Sequence, residues 1–216
     1  MKSIKYLAAT GLLAVSMQGS AALLDTVGGT VLPIAGQANA FETNVLPTTH
    51  YNIGADLFFG ADAYPNVNLT FTFLGREASW NTVFSAYGAG SLANTGSSPG
   101  DFFTVGNVDT SANSGLLDFD FEVVAPSYAK LGGIANGSNS FPEVDEQSFA
   151  VILDTTFDGV AYDALLLWDD AGGSGGDDDN HDDQVIGLNV SKVPEPGTIA
   201  LLGLGLLGLG MARRRK

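Results

Sequence analysis

The chain has 216 residues, 24 acidic residues against nine Lys and Arg, and a formal net charge of -15. That balance excludes nucleic acid as a partner, because gripping a phosphate backbone takes a basic face, and it favours divalent cations or a cationic polymer instead. The absence of cysteine excludes a disulfide framework, a thiolate metal site and a cysteine nucleophile, so stability must come from a packed core, helped by bound metal. At the N-terminus, Lys2 and Lys5 precede a mostly apolar stretch from Tyr6 to Met17, and Gly19-Ser20-Ala21-Ala22 follows with small residues. This order predicts a signal helix over residues 1–22, cut by signal peptidase after Ala21 or Ala22. The apolar stretch falls far short of the ~20 residues that a membrane-spanning helix needs.

Residues 23–192 read as one secreted domain, about the size of a single folding unit. Of the nine cationic residues only Arg76, Lys130 and Lys192 fall within it, whereas every acid except Glu195 does. Its periodicity is that of strands. Asn68-Leu69-Thr70-Phe71-Thr72-Phe73 alternates, as does Leu117-Asp118-Phe119-Asp120-Phe121-Glu122-Val123, with apolar side chains on one face and polar ones on the other. Further strands are expected at Ala55 to Phe59, Asp101 to Val105, Ser148 to Leu153, Ala164 to Trp168 and Gln184 to Val190. Gly88 to Gly100 and Gly132 to Ser140 are rich in Gly, Asn and Ser and read as turns. No segment of this region keeps a helical period for three turns. The expected fold is all-β, an antiparallel β-sandwich of jelly-roll type.

Trp168-Asp169-Asp170 leads into the glycine-rich run Ala171 to Gly176, then into Asp177-Asp178-Asp179-Asn180-His181-Asp182-Asp183. So many carboxylates in one loop repel one another unless a cation sits among them. Hard oxygen ligands on a backbone made pliable by glycine suit Ca²⁺, which takes about six to eight oxygens. The stretch from Asp169 to Asp183 therefore offers candidate ligands throughout, and Asp178-x-Asn180-x-Asp182 has the alternate spacing that opens a calcium loop. It is not an EF-hand, since the glycine at the sixth position, the glutamate at the twelfth and the flanking helices are missing. His50 and His181 are the only histidines, so a mixed His/Asp zinc site would need both. His181 reads as a supporting or solvent-facing residue rather than a ligand.

Two motifs are decoys. Gly203 to Gly208 satisfies GxGxxG but lies in an apolar run too near the end of the chain for a βαβ unit. Gly172-Gly173-Ser174-Gly175-Gly176 satisfies GxSxG but leads into an acid cluster instead of a helix. Trp80, Tyr87, Tyr128 and Tyr162 have the chemistry to line a glycan groove, although aromatic residues of a β-sandwich are more often core or rim.

The C-terminal segment, 193–216, reads VPEPGTIALLGLGLLGLGMARRRK. A proline-rich breaker, an apolar helix over 198–212 and four terminal cations form a membrane-stop device. The helix would be about 22 Å long at 1.5 Å per residue, shorter than the ~30 Å core of a bilayer, so it holds a protein in transit and anchors it weakly. Arg213 to Lys216 stay cytoplasmic by the positive-inside rule, leaving the rest of the chain outside.

This tail resembles the sorting signal of PEP-CTERM proteins, with Pro194, Glu195 and Pro196 as the motif. The resemblance implies cutting by an exosortase and delivery, after transient residence in the inner membrane, to the cell surface or extracellular matrix of a Gram-negative bacterium. The acidic stretch is likewise similar to a motif of secreted PEP-CTERM cargo and of calcium-type surface domains: an acid pair, a glycine-rich gap, then Gly-Asp-x-Asp-aromatic-Asn/Asp-Asp before a strand. Asp169 and Asp170 match the upstream pair, and Asp178, Asn180, Asp182 and Asp183 the downstream acids, while His181 replaces the usual aromatic and Gln184 the usual aliphatic residue. Phe71 to Ala78 also resembles a strand and turn of these proteins. The expected function is a structural or adhesive one, linked to exopolysaccharide and biofilm, without catalysis. The alternative is a secreted carbohydrate-binding module or a glycoside hydrolase acting on exopolysaccharide.

Overall fold

A computed structural model describes residues 22–36, 39–46, 49–77, 80–125, 132–141, 146–170 and 180–193. The expected signal helix, Asp178, Tyr128, the Pro194-Glu195-Pro196 motif and the apolar helix over 198–212 lie outside these residues. The described residues are all-β and form β1 (Leu24–Pro33), β2 (His50–Phe59), β3 (Asn66–Gly75), β4 (Asn81–Ala86), β5 (Gly90–Ala93), β6 (Phe102–Asp109), β7 (Phe119–Ala125), β8 (Gly132–Ala135), β9 (Ser148–Phe157), β10 (Val160–Asp169) and β11 (Gln184–Lys192). Every pairing between them is antiparallel. A seven-stranded sheet runs β1-β2-β9-β10-β11-β3-β6, and a four-stranded sheet runs β5-β4-β7-β8. In the larger sheet β1 and β6 form the two edges.

The alternating strands behave as their period requires. In β3, Val67, Leu69, Phe71 and Phe73 are buried and the residues between them half-exposed; in β7, Phe119, Phe121 and Val123 point inward while Glu122 faces solvent. These inward faces meet between the sheets in a ladder of rings. Phe71 of the large sheet touches Phe84 of the small one at 5.1 Å, and Phe121 stacks on Trp168 at 5.2 Å. Such ring pairs add to what area burial alone supplies.

The central strands follow a different rule. Ala150, Val151 and Ile152 in β9 and Leu165, Leu166 and Leu167 in β10 are buried in succession, because both faces of the large sheet are covered there. One face belongs to the inter-sheet core; the other joins Ile34, Val45 and Tyr51 in a second apolar cluster. The chain between β1 and β2 thus lies as a cover over the back of the sheet, and Asn39, Ala40 and Phe41 within it reach the end of β10 and β11.

Two segments expected to be turns contain strands. β5 lies within Gly88 to Gly100, and β8 within Gly132 to Ser140. Their glycines serve close approach in the sandwich: a Cβ on Gly90 would stand 2.6 Å from the Phe103 ring, and one on Gly133 would stand 1.9 Å from the Phe121 carbonyl oxygen. The alternating run at Leu117 enters the sheet two residues later than expected. Leu117 is buried, but its amide donates to Leu57 and its carbonyl accepts from Asn136, which holds it outside the β7 ladder.

Candidate metal site at the turn between β10 and β11

The last cross-strand pair of this hairpin is Trp168 with Gln184, and the Asp183 amide donates to the Trp168 carbonyl at 3.0 Å one step beyond it. Asp169 and Asp170 therefore stand across the hairpin from Asp182 and Asp183. Asp169, Asp170, Asn180, His181 and Asp182 are all under 5% exposed, and Asp183 is half-buried. Asp169, Asp170, Asn180, Asp182 and Asp183 all flank this one turn, and of the expected ligands Asp182 and Asp183 belong to a cluster of carboxylate oxygens with Glu77. Asp178 falls outside the described residues.

Residues from distant parts of the chain close the site. Asn39 donates through Nδ2 to the carbonyls of Asn180 at 2.6 Å and His181 at 3.1 Å, while its Oδ1 accepts from the Phe41 amide. The Ala40 amide donates to Asp182 Oδ2 at 2.5 Å, and the Asp170 amide donates to Asp183 Oδ2 at 2.6 Å. From the end of β3, the Glu77 amide donates to the Asp182 carbonyl at 3.0 Å. Carboxylate oxygens of Glu77, Asp182 and Asp183 lie within 4.8 Å of one another. Two oxygens on one Ca²⁺ at ~2.4 Å can be no further apart than about twice that distance, a limit that each pair of these three residues meets.

His181 is buried, so the solvent-facing alternative is overturned. Its Nε2 bonds the Ser148 hydroxyl at 2.7 Å, its Nδ1 stands 3.8 Å from Asp169 Oδ2, and Tyr51 meets the ring edge-on at 5.9 Å. Its φ of 57° is left-handed, a conformation unusual for a non-glycine residue and held here by the packing around it. Ser148 is opposite Asp169 in the β9–β10 register, so the imidazole meets one side chain from each of the two strands. Gln184 is buried where the resembling motif has an aliphatic residue. It accepts from the Thr82 hydroxyl at 3.0 Å and donates to the Leu92 carbonyl at 2.9 Å, so it ties the acidic turn to the smaller sheet.

The electrostatics are those of charge forced together. Burial first, then the neighbouring Asp170, Asp169 and Asp182 charges, push the Asp183 carboxyl up to about 9 against the pull of the Asp170 amide. Tyr51 is pushed up to about 12, by burial and then by Asp169 and Asp182. Its hydroxyl is buried without a hydrogen-bond partner among the described residues. Glu77, Asn39, Tyr51 and Ser148 escape a reading by sequence neighbourhood. Only Glu77 carried a signal, as part of the Phe71 to Ala78 stretch.

Residues 192–216 match the PEP-CTERM protein-sorting motif. The chain thus bears the C-terminal, membrane-anchoring sorting signal of exported proteins that exosortases process. Comparison with characterised proteins and with solved structures gives no match.

Proposed function

We propose that the protein is a structural or adhesive component of the bacterial cell surface or extracellular matrix, with Ca²⁺ held by Asp169, Asp170, Asp178, Asn180, Asp182 and Asp183, and with Glu77 as a further ligand. Signal peptidase removes residues 1–22 and an exosortase acts at Pro194-Glu195-Pro196, so that the working form is the sandwich domain. The ion serves the fold: it bridges the ends of β10 and β11 to the end of β3 and offsets repulsion among buried carboxylates. The role is one of holding, in association with exopolysaccharide, and not of catalysis.

The observation that supports this reading is the approach of Glu77, Asp182 and Asp183 carboxylate oxygens to within 4.8 Å of one another. The experiment is direct loading. The processed protein, equilibrated with Ca²⁺ and passed through a desalting column in calcium buffer, should carry bound calcium in stoichiometric amount by elemental analysis. Asp182→Asn combined with Asp183→Asn should lose it while keeping the same strand content by circular dichroism. Wild-type protein without calcium at millimolar concentrations, the range of extracellular calcium modules, would refute the site.

A further inference from the structure

At the end of β3 and β6 remote from the acidic turn, where Asn66 pairs with Asp109, the structure holds a cavity of about 610 Å³, a size typical of sites for small ligands. Its apolar wall includes Tyr87, Val105 and Leu116; Asn107, Asn113 and Asp118 supply polar groups. Tyr87 follows β4 and is half-buried, its ring packed against the inter-sheet core, so its position is fixed. Neither carboxamide side chain, of Asn107 or of Asn113, is engaged by the protein among the described residues, and both are exposed.

Backbone strain gathers at the same place. Tyr87 (φ 53°), Asn107 (φ 57°) and Asn113 (φ 49°) are three of the seven described non-glycine residues with left-handed dihedrals, and all three line this cavity. A bulky aromatic residue in that region is a genuine outlier. Strained residues persist where the surrounding structure holds them, and they collect at ligand sites.

We infer that this cavity is a binding site for a neutral saccharide unit. A pyranose presents an apolar C–H face and a rim of hydroxyls that both donate and accept. The Tyr87 ring offers the matching apolar surface, the carboxamides of Asn107 and Asn113 offer both donors and acceptors, and Asp118 accepts. Asp109, also on the wall, is held below the usual carboxylate range by hydrogen bonds from the Ser111 hydroxyl and amide, so it is charged at neutral pH. Together with Asp118 it repels uronates and other anionic sugars. An amine ligand would suit the acids but leave the carboxamide donors unanswered. The assignment is independent of the calcium reading, since the two sites lie at opposite ends of β3.

The test uses the processed protein and immobilised cello-, laminari- and mannohexaose, with oligogalacturonate and polylysine as contrasts. At least one neutral hexaose should retain the protein, equally in calcium and in chelator. Retention should weaken by about tenfold or more in Tyr87→Gly and in Asn113→Gly, as expected for losing a ring contact or an oriented hydrogen bond. Glycine takes positive φ without strain, so Asn113→Gly should melt no lower than wild type, which separates lost binding from lost folding. The inference is overturned if no neutral hexaose retains the protein, if both variants bind as wild type, if polylysine or galacturonate is preferred, or if retention requires calcium.

Discussion

Asp183 is the residue at which the turn is hardest to satisfy. Its carboxyl is pushed up to about 9 by burial and by three neighbouring aspartates, so the metal-free folded state keeps a proton that the unfolded chain releases above its ordinary value near 4. The folded state binds more protons across that window, and stability conferred at low pH must therefore fall as pH rises toward 9, by at most ~1.4 kcal/mol per unit for one proton. Urea unfolding of the metal-free protein between pH 5 and 8 should show this decline, and Asp183→Asn should flatten it. A variant profile parallel to wild type would locate the titration elsewhere. Calcium must displace the same proton, so its uptake near neutral pH should acidify a weakly buffered solution. The aspartates of this site were legible because they are near neighbours in the chain. Asn39, by contrast, reaches the turn from 141 residues away, and short-range patterning carries no trace of such a contact.

Among the elements, strands that alternate cleanly, such as β3 and β7, could be read from their period, and so could the unbroken apolar runs of β9 and β10. β5 and β8 could not, because their glycines are signals of a turn in local sequence and are required in the sheet only by a neighbour's proximity. Gly133→Val should force β8 away from the Phe121 carbonyl and cost about 2 kcal/mol or more, as overpacking of a tight contact does. Its mark would be early hydrogen exchange in the β7–β8 pair, with β10 and β11 unaffected. The cover between β1 and β2 is a second element invisible to periodicity, being tied down through Asn39 instead of through a ladder. Asn39→Ala removes donors to two buried carbonyls and should destabilise by about 2 kcal/mol. It should also weaken calcium binding, since Ala40 positions Asp182; unchanged affinity in a calcium titration would show that the cover and the site are uncoupled.

For the whole molecule, the two ends of β11 have different duties. Val185 beside Gly75 marks the acidic end of the sheet, whereas Lys192 beside Val67 marks the end from which the chain enters the sorting signal. Processing of that signal should depend on its basic terminus, because the four cations Arg213 to Lys216 follow a short apolar run and would resist crossing a membrane. Deleting those four residues should slow maturation, seen by mass spectrometry of both termini in protein recovered from culture; maturation at the same rate to the same size would contradict that dependence. Calcium as a structural partner of the fold is the central claim, and thermal melting of the processed protein tests it most directly. A ligand at a hundred times its dissociation constant stabilises by about 2.7 kcal/mol, which for a domain of this size raises the melting temperature by roughly 5–10 °C. Millimolar Ca²⁺ should produce such a rise, chelation should reverse it, and Mg²⁺ should substitute poorly. Superimposable melting curves with and without Ca²⁺ at matched ionic strength would contradict the account.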